Sequence, residues 1–226
     1  MSGTSEPRVF ERYGPGAQWY DVLSMERAIY RAGRVALIEA LHIAPGERVL
    51  DIGCGTGLSL PLLAEAVGDT GQIVGLDPSA RMLAQADKRV AEAAWGPRVR
   101  LVAGPANKPP STIGSNFDVA LFAYSLGVMD DWREAWEHAV QAVRPGGRIG
   151  VVDTDWPAGP WRVLTPAAAG AFVLGGVHPS RQVWKYLRAR TVHSTEQTLR
   201  GGHVRLATGT VTSTEASAET GAETGT

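Results

Sequence analysis

The order of apolar and polar positions along the chain follows two rhythms, one helical and one typical of buried strands. Between Trp19 and Leu41 the apolar residues recur at helical spacing, and Pro45-Gly46 ends that segment. Further on, short aliphatic runs alternate with helical patterns, which is the element order of a parallel sheet built from βαβ units. The strands predicted in this part are Arg48–Ile52, Gln72–Leu76, Val99–Ala103, Phe117–Ala123 and Arg148–Asp153. The helices predicted between them cover residues 58–67, 79–94 and a stretch from Asp131 that Pro145 ends.

The last third of the chain has a different pattern. A helix is predicted over residues 179–190, and strands over 191–199 and 203–208 join at Gly201-Gly202 as an antiparallel pair. The pattern as a whole predicts an α/β fold, a Rossmann-like seven-stranded sheet. This sheet is mostly parallel with an antiparallel C-terminal strand, and it has helices on both faces.

We predict one folded domain with a helical cover and two unstructured ends. Residues 209–226 contain no aromatic residue and one large aliphatic residue, Val211, so little apolar surface is available to offset the loss of chain entropy. The predicted division is a flexible segment 1–18, a domain 19–208 whose part 19–44 forms the cover, and a disordered tail 209–226.

Composition limits the function classes. The 226 residues carry a net charge of -1, which gives no general attraction to nucleic acid, and the 44% hydrophobic content is enough for a sizeable core. The single cysteine, Cys54, excludes an internal disulfide, and the five histidines show no metal-ligand spacing, so no metal is expected. No apolar signal-peptide core follows the first twelve residues, and we expect a soluble cytoplasmic protein.

A glycine-rich turn gives the strongest functional signal. The run Val-Leu-Asp-Ile-Gly-Cys-Gly-Thr-Gly from Val49 to Gly57 takes an apolar strand into three glycines and then a helix, whose first N–H groups are unpaired. Asp77 follows twenty residues after Gly57, where a carboxylate can accept from ribose hydroxyls. The sequence therefore predicts a nucleoside site. The dinucleotide pattern G-x-G-x-x-G fails, because the sixth position counted from Gly53 is Leu58.

The turn resembles the first motif of class I S-adenosylmethionine (SAM) dependent methyltransferases. Val74-Gly-Leu-Asp-Pro-Ser79 is similar to their next motif, and Arg144-Pro-Gly-Gly-Arg148 is similar to the segment that leads into their fifth strand. The resemblance covers about Val49 to Asp153. It implies SAM as the methyl donor, S-adenosylhomocysteine (SAH) as the product and no metal.

The resemblance also implies which residues hold the cofactor. Asp51 would lie near the ammonium group, Asp77 would accept from both ribose hydroxyls, and Pro78 and Met82 would flank the adenine. Residues at the end of the fourth strand would lie beside the sulfonium. The full set is Asp51, Gly53, Cys54, Gly55, Gly57, Asp77, Pro78, Met82, Ala106, Asn107 and Ala123.

The loop after the third strand departs from the family. Its usual Gly-Asp-Ala is replaced by Gly104-Pro105-Ala106-Asn107, so the aspartate that holds the adenine amino group is missing. The Ala106 N–H and the Asn107 side chain are then the candidates for adenine recognition. We expect weaker or differently arranged contacts to the adenine.

The acceptor is expected to be a small molecule or a lipid, with N, O and C all open as the acceptor atom. The candidates that could face it are Tyr20, Tyr124, Asp153, Asp155 and Trp156, and no catalytic residue is assigned. The Asn/Asp-Pro-Pro-aromatic motif of amino-methylating DNA enzymes is absent, which argues against a nucleic-acid substrate.

Three alternatives stay open. Segments 30–34 and 57–61 are similar to bacterial phospholipid N-methyltransferases that act on phosphatidylethanolamine, in which the leading helix contacts the membrane peripherally. A catalytically silent SAM-binding protein would keep the same turn. An NAD(P)-dependent oxidoreductase would share the sheet, although the failed dinucleotide pattern argues against it. The oligomeric state is open.

Overall fold

The computed structural model describes residues 30–166, 169 and 181–212, and it shows a sheet with helices packed on both of its faces. The helices are α1 (Arg31–Ala40), α2 (Leu60–Val67), α3 (Ala80–Ala91), α4 (Trp132–Ala142) and α5 (Val183–Arg188). The strands are β1 (Arg48–Ile52), β2 (Gln72–Asp77), β3 (Val99–Ala103), β4 (Phe117–Ala123), β5 (Val143–Thr154), β6 (Val192–Leu199) and β7 (Val204–Thr210).

The sheet has seven strands in the order β3-β2-β1-β4-β5-β7-β6. Strands β1 to β5 pair in parallel, and β7 pairs antiparallel with both β5 and β6. The predicted fold class is therefore confirmed. The strand order reverses between β1 and β4, and ligands of open α/β sheets bind at such a switch point, outside the carboxyl ends of the strands.

The core has two parts, one on each face of the sheet. Alternate residues of β4 point to opposite faces, as a strand requires, so Phe122 packs with α4 and α5 while Leu121 packs with α1 and α2. The Phe122 and Trp136 rings are 6.5 Å apart at their centroids, and both are fully buried. The carboxyl ends of β1, β2 and β4 are therefore held by a rigid, two-sided packing arrangement.

The C-terminal boundary of the domain differs from the prediction. Strand β7 continues to Thr210 instead of ending at 208, and Val211 is 4% exposed within the core. The N–H of Val211 donates to the Gly147 carbonyl at 2.8 Å, and the N–H of Gly146 donates to the Val211 carbonyl at 2.9 Å. The predicted start of the tail, residue 209, is therefore too early. Val211, the one large aliphatic residue of that segment, packs in the core directly after β7. Residues 1–29 and 213–226 lie outside the described part.

Among the elements whose lengths differ from the prediction, β5 and α5 differ most. Strand β5 begins at Val143, because Val143 pairs with Phe117 before an irregular stretch and regular pairing resumes at Arg148. Helix α5 is shorter than the predicted 179–190, since Gln182 at its N-terminus has a left-handed backbone with φ 45°.

Candidate functional site

The three glycines of the turn serve different purposes, although all have positive φ. A Cβ at Gly53 would overlap the side chain of Ser125, and one at Gly57 would lie 2.8 Å from a methyl carbon of Leu60. A Cβ at Gly55 would meet no heavy atom within 4 Å. Gly53 and Gly57 therefore permit close packing inside the protein, whereas Gly55 borders open space where a ligand can approach the backbone.

Asp77 holds the turn in place. Its Oδ2 accepts from the Gly55 N–H at 2.9 Å, and its Oδ1 accepts from the Ser79 N–H at 2.8 Å. Ser79 in turn caps α3 by accepting from the Met82 N–H. Burial raises the pKa of Asp77, and its two backbone hydrogen bonds oppose that rise. Each carboxylate oxygen keeps a lone pair for a further donor.

Asp51, at the carboxyl end of β1, is a buried acid of unusual character. It is 1% exposed, and neither carboxylate oxygen has a hydrogen-bond partner among the residues that the structure describes. Its pKa is raised to about 7, chiefly by burial. The charge of Arg34 opposes this rise, and the charge of Asp77 adds to it. Buried polar groups are normally hydrogen-bonded. An acid in this condition therefore fits a site that receives a cationic group.

Arg34 brings a positive charge to this place. It lies on α1, is 7% exposed, and its guanidinium carbon is 5.3 Å from the centroid of the Tyr124 ring. Arg34 is not among the site residues predicted from the sequence. The signal was present, because Arg34 shares the helical stripe of the buried Leu37, Ile38 and Leu41. A buried carboxylate and a buried guanidinium are together complementary in charge to the ammonium and carboxylate groups of an amino acid.

The predicted adenine-side residues lie after β2 and β3. Met82 is 5% exposed and Ala106 is 9% exposed, while Pro78 and Asn107 are half-buried. The Asn107 amide nitrogen donates to Asp131 at 2.9 Å, which directs that end of the side chain toward the start of α4 and leaves its carbonyl oxygen as an acceptor.

The end of β4 is tied to both β1 and α1. Ala123 is half-buried, and Tyr124 after it has φ 61°, a left-handed backbone that non-glycine residues rarely adopt. The Tyr124 hydroxyl donates to the Tyr30 carbonyl at 3.2 Å, and Gly33 of α1 leaves room for that hydroxyl. The Ser125 hydroxyl donates to the Ile52 carbonyl at 2.5 Å.

The two acids at the carboxyl end of β5, Asp153 within the strand and Asp155 just after it, are engaged by protein groups. Asp153 is 4% exposed and accepts from the backbone N–H groups of Gly127 at 2.9 Å and Thr154 at 2.8 Å. Burial raises its pKa to about 6. Asp155 forms an ion pair with Arg205 at 2.7 Å and accepts from the Trp156 N–H. These contacts give both carboxylates a structural role.

Three predicted site residues remain: Trp156, Tyr20 and Cys54. Trp156 is 42% exposed beside this acidic pair, and Tyr20 lies outside the described residues. Cys54 is 8% exposed, and burial raises its thiol pKa, with the charges of Asp51 and Asp77 adding to the rise. A thiol in this setting is a packing group and a poor nucleophile.

Within residues 30–166, 169 and 181–212, no group of three or more His, Cys, Asp and Glu side chains could hold a metal ion. Among the helices in these ranges, none has the length and apolar character needed to cross a membrane.

Comparison with known proteins connects this geometry to a family. A family model described as a methyltransferase domain matches residues 49–147. An uncharacterised 37.1 kDa transposon protein of Streptomyces fradiae is 35% identical over 150 residues, which are 66% of this chain and 42% of that protein. Demethylmenaquinone methyltransferase of Bacillus cereus is 31% identical over 159 residues, which are 70% of this chain and 66% of the enzyme. The chain thus spans less than two thirds of either relative.

A solved structure agrees with the fold. Phosphoethanolamine N-methyltransferase 2 of Haemonchus contortus, in complex with SAM, has a TM-score of 0.72 at 14% identity, over 94% of this chain and 62% of that one. The family match covers the glycine-rich turn, Asp77, strands β2 to β4, nearly all of β1 and the beginning of β5. The resemblance found in the sequence is therefore confirmed, since residues 49–147 of this chain match the methyltransferase domain family.

Proposed function

We propose that this protein is an enzyme that transfers the methyl group of SAM to a small-molecule or lipid acceptor and releases SAH. One observation carries the proposal. Asp51 is a buried acid whose two carboxylate oxygens have no partner within the described residues, and it lies in the turn that the family uses for its cofactor. An ammonium group would supply the missing hydrogen bonds and the opposite charge.

The other site residues fit the rest of the cofactor. Arg34 would pair with the carboxylate of the methionine part, so that Asp51 and Arg34 together recognise the amino acid. Gly53, Cys54 and Gly57 would shape the turn, and Gly55 would allow the close approach of the cofactor.

The nucleoside part would lie beyond the turn. Asp77 would accept from the ribose hydroxyls with the lone pairs that Gly55 and Ser79 leave unused. Pro78 and Met82 would flank the adenine, with the Ala106 N–H and the Asn107 carbonyl oxygen supplying polar contacts. Ala123 would lie beside the sulfonium. Bound SAM supplies an electrophilic methyl carbon, so the protein needs only to align the acceptor and exclude water.

The contacts of the candidate acceptor-side residues favour a protein that positions the acceptor and does not supply a general base. Asp153 and Asp155 are already occupied by backbone N–H groups and by Arg205, and the Tyr124 hydroxyl donates to Tyr30. None of these three therefore has the geometry of a poised general base. Alignment in the transfer geometry can contribute about 7–11 kcal/mol without a base.

The proposal is tested first by the cofactor. Purified protein is denatured and searched by mass spectrometry for retained SAM or SAH, and SAH binding to the native protein is measured by calorimetry. Asp77→Ala should weaken SAH binding by about 1.5–3 kcal/mol, the usual contribution of hydrogen bonds to a charged group. Asp87→Ala, which removes an exposed acid of α3, should leave the affinity unchanged.

The acceptor is then sought with methyl-labelled SAM. Amines, phenols, quinols and aminophospholipid vesicles are offered as separate arms, and label transfer into one arm identifies the acceptor class. Absence of SAH binding at millimolar ligand would refute the proposal, and NADH binding in its place would favour an oxidoreductase.

A further inference from the structure

The loop that follows β4 is held from two sides at one residue, Gly127. This strand-four loop comprises residues 124–129. The Gly127 N–H donates to Asp153 Oδ2 at 2.9 Å, and the Gly127 carbonyl accepts from the Arg181 guanidinium at 3.1 Å. Arg181 donates to the Met129 carbonyl as well. A Cβ at Gly127 would overlap the Asp153 carboxylate, so this close approach requires glycine.

The two residues that hold the loop come from distant parts of the chain. Asp153 ends β5, and Arg181 lies just before α5. The positive charge of Arg181 favours the charged form of Asp153. Asp130 lies 4.0 Å from Arg181, and Arg133 at the start of α4 is the other charge that acts on Arg181.

The strand-four loop forms one wall of the glycine-rich turn. The Ser125 side chain lies so close to Gly53 that a Cβ there would overlap it, and the Met129 methyl carbon would be 3.1 Å from that Cβ. The Ser125 hydroxyl also donates to the Ile52 carbonyl. A shift of the loop would therefore move the part of the turn next to Asp51.

The ribose side of the site is held independently. Asp77 is fixed by the backbone N–H groups of Gly55 and Ser79, neither of which belongs to the strand-four loop. Gly53 is also tied to β2, because its N–H and that of Cys54 both donate to the Leu76 carbonyl. The strand-four loop thus adds a support on the Gly53 side of the site, whereas the hydrogen bonds of Asp77 involve no residue of that loop.

We propose that Asp153 and Arg181 are positioning residues that clamp Gly127, and that this clamp sets the affinity for the amino-acid half of the cofactor while leaving the adenosine half unaffected. The inference rests on the proposed function. It gives the two residues a role through the loop and not through contact with the reacting atoms.

The test compares two ligands that differ in that half alone. SAH carries the amino acid, and 5′-methylthioadenosine keeps the adenosine and the sulfur without it. Arg181→Gln should weaken SAH binding about tenfold or more and change methylthioadenosine binding by less than about twofold, with the affinities measured by calorimetry. Arg181→Lys, which keeps the charge and some of the donors, should recover part of the SAH affinity.

Two matched controls lie away from the site. One is Asp118 near the amino end of β4, and the other is Arg188 on the surface. Asp118 resembles Asp153, because it accepts from the Arg48 N–H at 2.8 Å and from the Arg144 guanidinium at 2.6 Å. Asp118→Asn and Asp153→Asn both lose a bonded carboxylate, but Asp153→Asn alone should lower SAH affinity. Arg188→Gln breaks an exposed pair with Glu196 and should leave binding of both ligands unchanged.

The outcomes separate the two proposals. Equal losses for SAH and methylthioadenosine in Arg181→Gln, or an unchanged SAH affinity, would overturn the clamp while the cofactor site stands. If the wild-type protein binds neither ligand, the proposed function itself fails. The Arg181 variants alone decide the matter should Asp153→Asn not fold.

Discussion

The buried acid Asp51, on β1 next to the glycine-rich turn, should make cofactor binding depend on pH. Asp51 has a pKa raised by burial to about 7, and its charged form is the one that an ammonium group needs. Lowering the pH protonates Asp51 in the free protein and so removes the binding-competent form. SAH affinity should therefore fall as the pH falls, with proton release on binding below about pH 7.

The size of the effect follows from the fraction of Asp51 that is charged. With a pKa of about 7, roughly three quarters is ionised at about pH 7.5 and roughly one tenth at about pH 6. The apparent affinity for SAH should then drop roughly eightfold between these values, or about 1.3 kcal/mol. The ligand-free fold shows the opposite trend. A pKa raised from 3.8 to about 7 means that the contribution of Asp51 to folding stability is fully present below about pH 3.8 and is lost as the pH rises from there to about 7.

The assay is calorimetry of SAH across this range in two buffers of different ionisation enthalpy, which reveals the protons released. Asp51→Asn should flatten the profile and lower the plateau affinity. Methylthioadenosine, which lacks the ammonium group, separates this effect from titration of Asp77, whose pKa is also raised. A profile of equal slope in the wild-type protein and in Asp51→Asn would refute the reasoning.

Three other predictions concern the turn and the core. Gly55→Val should abolish SAH binding by filling the open space at that backbone, while strain at φ 55° costs the fold about 1–2 kcal/mol; calorimetry that shows retained affinity would contradict it. Native Cys54 should resist iodoacetamide at mildly alkaline pH and react once the protein is unfolded in urea, since the thiol is buried with a raised pKa; rapid native alkylation would count against this. Trp136→Ala should lower the free energy of unfolding by about 3–5 kcal/mol in urea titrations, because the ring is 1% exposed; a loss below about 1 kcal/mol would show that the core relaxes around the cavity.

Local patterns were sufficient to predict the sheet and the turn. The bounds of β1, β3 and β4 match the predicted runs, because each is a short aliphatic segment between clear breaks. Asp77 could be placed because its spacing from the turn is a property of one βαβ unit. Information of this kind lies within about thirty residues of chain, where strand, turn and helix lengths limit the geometry.

Contacts between distant segments could not be predicted in the same way. The ion pair between Asp155 and Arg205 depends on how β7 returns beside β5, and nothing in the local pattern around either residue indicates it. Arg34 approaches Asp51 because α1 packs on the sheet, which brings a residue that precedes β1 close to one within β1. For this reason the sequence presents Asp153 and Asp155 as acceptor-side candidates, since their partners are visible only in three dimensions.

The hydrogen bonds of Asp77 to Gly55 and Ser79 have a consequence for how a ligand arrives. The carboxylate that would accept from the ribose already joins the turn to the start of α3. The ribose side of the site is therefore ordered before a ligand binds. A preorganised platform loses little conformational entropy on association. Any molecule that carries adenosine would then meet the same ordered ribose site. Selection among such molecules would depend on protein groups that contact parts of the ligand other than the sugar.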